Sequence, residues 1–400
     1  MTMTVAVLMS RFPSVTETFI LREMIEMERQ GQPVRLVPML KESPPVIHDA
    51  ARPWTERALY TPFFNAAILN ANVRALLRSP ARYLGLLARL IAGTMTSPDV
   101  LLRTLSVFPK SVFLARTLEQ EGVRHIHAHY ATHPSTMALI IATLSSVTFS
   151  FTVHAHDIQV NRSLLRWKLR ETRFVRSISE FNKRFLEGLY PEEARGKIDV
   201  IHVGIDTHLY GAPQRANNKI LCVAAHKPYK GLPYLIEACR ILRDEGIDLQ
   251  CDIIGHGPMH DELAAMLRER NLTNVRLVGP RAQEEVTRMM AEASLFVLPS
   301  IVAPDGQMEG IPVALMEAMA TGRAVVSTSI AGIPELVEHG VSGLLVPPAD
   351  ARALANAIRE LLADPDRARR MGERGREKVL AEFTLSECVR QLNARLQAFR

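Results

Sequence analysis

Glu309-Gly310-Ile311-Pro312-Val313-Ala314-Leu315-Met316-Glu317-Ala318-Met319-Ala320 follows a short apolar run, 295–298, and an irregular stretch containing Pro304, Asp305 and Gly306. The order describes a strand, a loop and a helix entered through Gly-Ile-Pro. Pro312 suits the first helical position, where an N–H has no intrahelical partner, and Gly310 lets the backbone approach a ligand closely. Such a helix start attracts anions. Glu317 is the odd residue, because its neighbours from Val313 to Ala320 are apolar and a carboxylate among them needs hydrogen-bond donors. Two sources fit equally well: the paired hydroxyls of a nucleotide ribose, or an internal partner such as Arg323 or a backbone amide.

Outward from this stretch, short apolar runs alternate with helical patterns, the βαβ rhythm of parallel sheets covered by helices. In the first half the strands are expected at 5–9, 34–39, 125–130, 149–154, 174–179 and 200–203, with a mainly helical insertion at 62–121. The second half restarts the rhythm at 220–224, 251–255, 275–278, 295–298, 324–327 and 344–346. Between the halves, 210–218 carries Gly, Pro, Gln and paired Asn with few large apolar residues, the composition of a linker. The predicted class is α/β with two Rossmann-like domains, and 400 residues at about 150 per domain accommodate both.

Composition agrees with folded cores, since 47% hydrophobic and 22% charged residues leave too little charge for disorder. Residues 1–9 run into an apolar segment without a basic leader or a small-residue cleavage site, which predicts a cytoplasmic protein. Cys222, Cys239, Cys251 and Cys388 lack paired close spacing and read as small core hydrophobes. The uncharged segment 135–153 approaches the ~20 residues of a membrane span. Its eight hydroxyl residues instead divide it into a helix, a turn and a strand. Residues 51–125 hold ten Arg or Lys against four Asp or Glu, a surplus equal to the net +6 of the whole chain. Within them, 70–95 sets Arg beside apolar runs at helical spacing. That pattern suits a helix lying on an anionic membrane surface, and equally a surface helix with its apolar side on the core.

Glu309 and Glu317, with seven residues between, are followed by Ala331-Gly332-Ile333-Pro334-Glu335-Leu336-Val337 and Gly343-Leu344-Leu345-Val346-Pro347-Pro348-Ala349-Asp350. Together these resemble the Glu-x7-Glu signature of family 4 retaining glycosyltransferases. The resemblance implies the GT-B fold, two Rossmann-like domains with parallel sheets facing a central cleft. It assigns 1–205 to the acceptor and 206–383 to a nucleotide sugar, with a last helix, 384–400, crossing back to the first domain. A UDP- or GDP-sugar donor is implied, with no metal and no other cofactor. Phe12-Pro13-Ser14-Val15-Thr16-Glu17-Thr18-Phe19-Ile20, where most family members carry a Gly-rich loop, resembles a branch associated with capsule, exopolysaccharide and colanic-acid-type assembly. The acceptor implied is a saccharide or a lipid-linked saccharide.

On this resemblance Glu317 holds the ribose, Glu309 contacts donor sugar hydroxyls, and the amides around Gly310, Ile311 and Pro312 meet sugar or phosphate. Val223-Ala224-Ala225-His226-Lys227-Pro228-Tyr229-Lys230-Gly231 is similar to the family's diphosphate-binding turn. Lys230 matches its Lys, but Ala225 stands where an Arg is usual, leaving His226 or Lys227 to substitute. Gly255-His256-Gly257-Pro258 resembles the loop near the nucleotide base, and a plain Gly/Pro turn fits as well. Thr16, Glu17 and Thr18 fall on the acceptor side, the two threonines also being suited to cap the following helix. His154, ahead of His156 and Asp157, matches the position whose imidazole touches the donor sugar or its phosphate. The implied catalytic set is His154, Lys230 and Glu309. His125, His127 and His129 share one strand face, but no carboxylate cluster accompanies them and the family binds its donor without a metal.

Two other classes meet some of these features. A sugar-nucleotide epimerase or phosphorylase shares the fold, since fold does not fix function. A non-catalytic binder of nucleic acid or anionic lipid is suggested by the net charge of +6, but no paired Cys/His finger or aromatic ribonucleoprotein run supports nucleic acid.

Overall fold

A computed structural model describes residues 3–14, 17–43, 49–211 and 219–399. Its contacts divide the chain into two units, one formed by Met1–Ile178, Asn182–His202 and Val389–Arg400, the other by Ser179–Phe181 and Val203–Cys388. The first unit holds β1 (Val5–Phe12), β2 (Val34–Lys41), β3 (His125–His129), β4 (Thr148–Val153), β5 (Val175–Ser177) and β6 (Ile198–Val200). They pair in parallel in the order β2-β1-β3-β4-β5-β6. The second unit holds β7 (Lys219–Val223), β8 (Gln250–Ile254), β9 (Val275–Gly279), β10 (Leu295–Leu298), β11 (Ala324–Thr328) and β12 (Gly343–Val346). Their order is β12-β11-β10-β7-β8-β9, again parallel, which is the doubly wound Rossmann arrangement.

These strands are apolar runs because helices cover both faces of a parallel sheet. One strand is displaced from its expected place: the sixth is Ile198–Val200, not 200–203. The guanidinium of Arg176 takes the carbonyls of Ile201 and His202, which removes them from the ladder. The insertion forms the helices Ala66–Arg78, Pro80–Thr94 and Pro98–Gln120, the first capped by Asn65, whose side chain accepts from the Ile68 amide at 2.8 Å. Segment 135–153 divides into the helix His133–Leu144 and β4.

All four cysteines are buried, and burial pushes the Cys222 thiol up to about 12. The final helix, Leu385–Gln397, belongs to the first unit from Val389 onward. There Arg395 meets Asp199 at 2.7 Å, Asn393 donates to Gln30 at 3.1 Å, and the Phe399 ring stacks on Phe174.

In open parallel sheets, ligands bind at the carboxyl ends of the strands where the strand order reverses. That switch lies between β1 and β3 in the first unit and between β7 and β10 in the second.

Candidate functional site

In the second unit, β7 runs into the 3-10 turn Pro228–Lys230, and Gly231 follows at φ 65°. A side chain at Gly231 collides with the carbonyl of Pro299, so only glycine lets the turn lie against the loop leaving β10. The Ile301 amide bonds the Tyr229 carbonyl at 2.9 Å and ties the two loops together. This contact delivers Lys230 to Glu309, with which it forms an ion pair. Ser300 Oγ lies 3.4 Å from the same carboxylate oxygen. Burial pulls the Lys230 pKa down, but Glu309 and Tyr229 outweigh it and raise the value above that of an ordinary lysine, so the ammonium persists. Two residues far apart in sequence are thus brought together at the switch point.

The helix after this loop is Val313–Ala320. Pro312 occupies its N-cap and not the first helical position: at φ −67° and ψ 122° its carbonyl already accepts from Leu315 and Met316 at 3.1 and 3.3 Å. Glu317 is buried, and side chains from two distant segments reach it. Tyr210 donates its hydroxyl to Oε1 at 2.7 Å, with Gln283 Nε2 at 3.4 Å. Arg323 donates to the carbonyl of Ala291. Tyr210 belongs to the stretch read as a linker, yet it is 1% exposed; residues 212–218 lie outside the described residues. Gly310 is half-buried, and Ile311 is buried against the core.

Gly255, at φ 136°, and Gly257 let the loop after β8 press on the loop after β7. The His226 amide donates to the His256 carbonyl at 3.1 Å. The His226 side chain is buried, its ring parallel to that of His260 and 3.2 Å from it between Nδ1 atoms. Burial, then His260 and His256, lower its pKa to about 4. His226 is therefore neutral at pH 7 and does not replace the charge of the arginine absent at Ala225. Lys227 is exposed, three residues ahead of Lys230.

In the first unit, Thr16 lies outside the described residues. Thr18 opens the helix Thr18–Arg29 without capping it; Glu17 is the N-cap residue and makes no side-chain cap bond. Its carboxyl is instead drawn to Tyr130, and burial raises its pKa to about 7, against the smaller opposing effect of that hydrogen bond. Tyr130 (φ 75°) and Ala155 (φ 153°), just past β3 and β4, hold backbone conformations that cost energy and cluster at sites. Asp157 secures them: its carboxylate accepts from the amides of His154, Ala155 and Ala131 at 2.9, 2.8 and 2.8 Å. Buried Lys168 completes the brace, donating to the carbonyls of Ala131 and Thr132. His154 is buried, its ring 4.5 Å from that of Tyr130 and 5.3 Å from Phe19. Burial, then His129 and Arg176, hold its pKa well below the usual value.

The three alternate histidines of β3 are occupied by protein groups. His125 bonds Thr148 and Ser150, and His127 bonds Ser150 and Thr152, each at 2.8 Å. Tyr210, Gln283, His260, Tyr130 and Lys168 were not marked by any local pattern. Each becomes visible only when the fold sets distant segments side by side.

Two family descriptions cover most of the chain: residues 17–209 match Glycosyltransferase Family 4, and residues 212–378 match Glycosyl transferases group 1. The chain belongs to the family 4 glycosyltransferases. This family 4 chain is 43% identical over 201 residues to the amylovoran biosynthesis glycosyltransferase AmsK of Erwinia amylovora, covering 49% of each. It is 42% identical over 210 residues to the putative colanic acid biosynthesis glycosyltransferase WcaL of Escherichia coli K12, covering 51% of this chain and 52% of that protein. The matches thus span about half the length of these curated relatives. Among solved structures, a glycosyltransferase from Rickettsia africae superposes with a TM-score of 0.70 at 15% identity, over 100% of this chain and 98% of that one. Anabaena HepE in complex with UDP-glucose gives 0.67 at 18% identity, over 99% and 100%. These likenesses establish the GT-B fold, two Rossmann-like halves each built on a six-stranded parallel sheet.

Proposed function

We propose that this chain transfers a sugar from a nucleotide-diphosphate sugar to a hydroxyl of a saccharide or lipid-linked acceptor, with retention of anomeric configuration, during assembly of a cell-surface polysaccharide. The observation that carries this reading is the half-buried Lys230–Glu309 pair at the β7/β10 switch point, with the buried carboxylate of Glu317 on the helix that follows. The names of AmsK and WcaL support the polysaccharide setting, and HepE with UDP-glucose supports the donor class. In this reading the segment 206–383 binds the donor, and 1–205 with 384–400 serves the acceptor.

An ammonium has three donors, so Lys230 can keep Glu309 while offering N–H groups to a leaving diphosphate. Glu309 accepts from sugar hydroxyls. Glu317 has two oxygens with about four acceptor positions, enough to take ribose hydroxyls alongside Tyr210. Gly310, Ile311 and Pro312 line the approach to the donor, Gly255 and His256 lie near its nucleotide, and Lys227 adds charge near the diphosphate. Glu17 and Thr18 face the acceptor side, and His154 contacts the sugar. No carboxylate takes the part of a covalent nucleophile, so the acceptor hydroxyl attacks from the face that the diphosphate leaves, and the departing phosphate takes its proton. Catalysis then rests on positioning and on charge stabilisation, without a metal.

A thermal-shift panel of UDP, GDP and their sugars tests the reading. One nucleotide is expected to stabilise the chain by roughly 2.7 kcal/mol at a hundredfold excess over its Kd. Indifference to every nucleoside diphosphate overturns the proposal, and so does release of an isomerised sugar nucleotide without an acceptor, detected by mass spectrometry.

Peripheral attachment to the cytoplasmic face of a membrane belongs to the same reading. Between Glu56 and Asp99 the chain has five Arg and no Asp or Glu, while Leu69, Val73, Leu77, Leu84 and Met95 are exposed on or beside two helices of that stretch. Among the described residues no helix is long and apolar enough to cross a membrane. The intact chain is expected to float with anionic vesicles at low salt and to be released as salt rises. Absence from the floated fraction removes this part of the reading.

A further inference from the structure

His129 departs from the pattern of its strand. His125 and His127 each rest between two hydroxyls, but His129 has His154 on one side and Glu23 on the other. Its Nδ1 lies 3.4 Å from Nε2 of His154, and its Nε2 lies 3.4 Å from Oε1 of Glu23. The second oxygen of Glu23 is 2.5 Å from Arg176 Nη1, and the remaining guanidinium nitrogens bond the carbonyls of Ile201 and His202 at 2.9 and 2.6 Å. All four side chains are buried, with exposures of 3% for Glu23, 1% for His129, 9% for His154 and 0% for Arg176. An unmatched polar contact here has no water to repair it.

Both imidazoles are neutral. Burial, with Arg176 adding to it, lowers the His129 pKa to about 3, and His154 is also held well below its usual value. A neutral imidazole has one N–H and one lone pair, so the neighbours decide which nitrogen carries the proton. Arg176 only donates, and it orients the Glu23 carboxylate. The nitrogen of His129 that faces this carboxylate must carry the proton, because a lone pair there opposes a negative charge. Nδ1 of His129 is then a lone pair, and the proton between the two rings belongs to Nε2 of His154. One assignment sets no lone pair against another or against the carboxylate.

We propose that Glu23 and His129 are positioning residues that hold His154 in the Nε2–H form, leaving its Nδ1 as a hydrogen-bond acceptor. The inference rests on the reading of His154 as a substrate contact and narrows what it touches. A phosphate oxygen offers only lone pairs, so His154 in this form takes a hydrogen bond from a sugar hydroxyl and not from the diphosphate. Glu23 and His129 do not meet substrate themselves; they set the chemistry of the ring that does.

Histidine nitrogen NMR of the intact chain, with the His154 signals identified by their loss in His154→Gln, tests this directly. The wild type is expected to show His154 protonated on Nε2. In Glu23→Gln, Arg176 draws the amide oxygen to itself and turns the NH2 toward His129, so both rings exchange their protonated nitrogen. His154 is then expected on Nδ1–H, and kcat/KM for transfer is expected to fall by roughly tenfold or more while the Kd for the nucleoside diphosphate stays within about twofold. An Nδ1–H form of His154 in the wild type, or an unchanged form in a folded Glu23→Gln chain, overturns the inference. The wild-type spectrum needs no variant, so it decides the matter even where Glu23→Gln does not fold. A chain that transfers no sugar but shows the Nε2–H form counts against the proposed function and for the relay.

Discussion

Replacing Glu309 with glutamine is expected to lower sugar transfer at least about a hundredfold, the scale on which a preorganised electrostatic contact acts in a transition state. Nucleoside diphosphate binding is expected to hold or to tighten. The two effects separate because Glu309 and Lys230 are paired. Glutamine keeps the shape but removes the charge, so it accepts less strongly from sugar hydroxyls that carry developing positive character. The ammonium of Lys230 is at the same time no longer shared with an anion and has more to offer a diphosphate. Glu309→Ala is less informative, since it leaves Lys230 at 14% side-chain exposure without its counter-ion. Labelled-sugar transfer and calorimetry on Glu309→Gln read the two quantities separately. Turnover within tenfold of wild type, or loss of nucleotide affinity in step with turnover, rejects the role given to Glu309.

Arg176→Met is expected to destabilise the chain by about 3–5 kcal/mol, the cost of stranding one member of a buried ion pair. Arg176 is buried, meets Glu23 at 2.5 Å, and closes the carbonyls of Ile201 and His202. Methionine fills much of the volume and supplies none of those donors. Adding Glu23→Leu should restore part of the loss, because it removes the uncompensated charge while the carbonyls of Ile201 and His202 stay without their donor. Urea denaturation of the two variants checks this, and a single substitution costing under about 1 kcal/mol contradicts the network as described.

The same arginine shows where sequence stops informing. The runs at 5–9, 295–298 and 324–327 led to strands because a parallel strand buried on both faces leaves an unbroken apolar signal. Val200-Ile201-His202-Val203 carries that signal too, but only its first residue is in β6, since Arg176 from the neighbouring strand claims the next carbonyls. Glu309, Glu317 and Lys230 were legible as charged residues in a recurrent pattern. That Lys230 and Glu309 pair, and that Tyr210 lies on Glu317, was not, because each contact joins loops or segments 79 and 107 residues apart. His226 was legible as polar beside a strand, and only its burial against His260 shows that it is uncharged. Thr18 looked like a helix cap because threonine favours that place. The helix starts one residue earlier than such a cap requires, with Glu17 turned toward Tyr130.

The hydroxyls between His125 and His127 give their strand pair a direction. Thr148 donates its only hydroxyl proton to the carbonyl of Arg124, which can return none, so the oxygen must accept from Nδ1 of His125. Nε2 of His125 then receives the Ser150 proton, Ser150 receives from Nδ1 of His127, and Nε2 of His127 receives from Thr152. One carbonyl just ahead of β3 thereby orders every hydrogen as far as Thr152. A His-x-His-x-His run that elsewhere invites metal capture is here a one-way row, with no ring nitrogen of its first two members left to give.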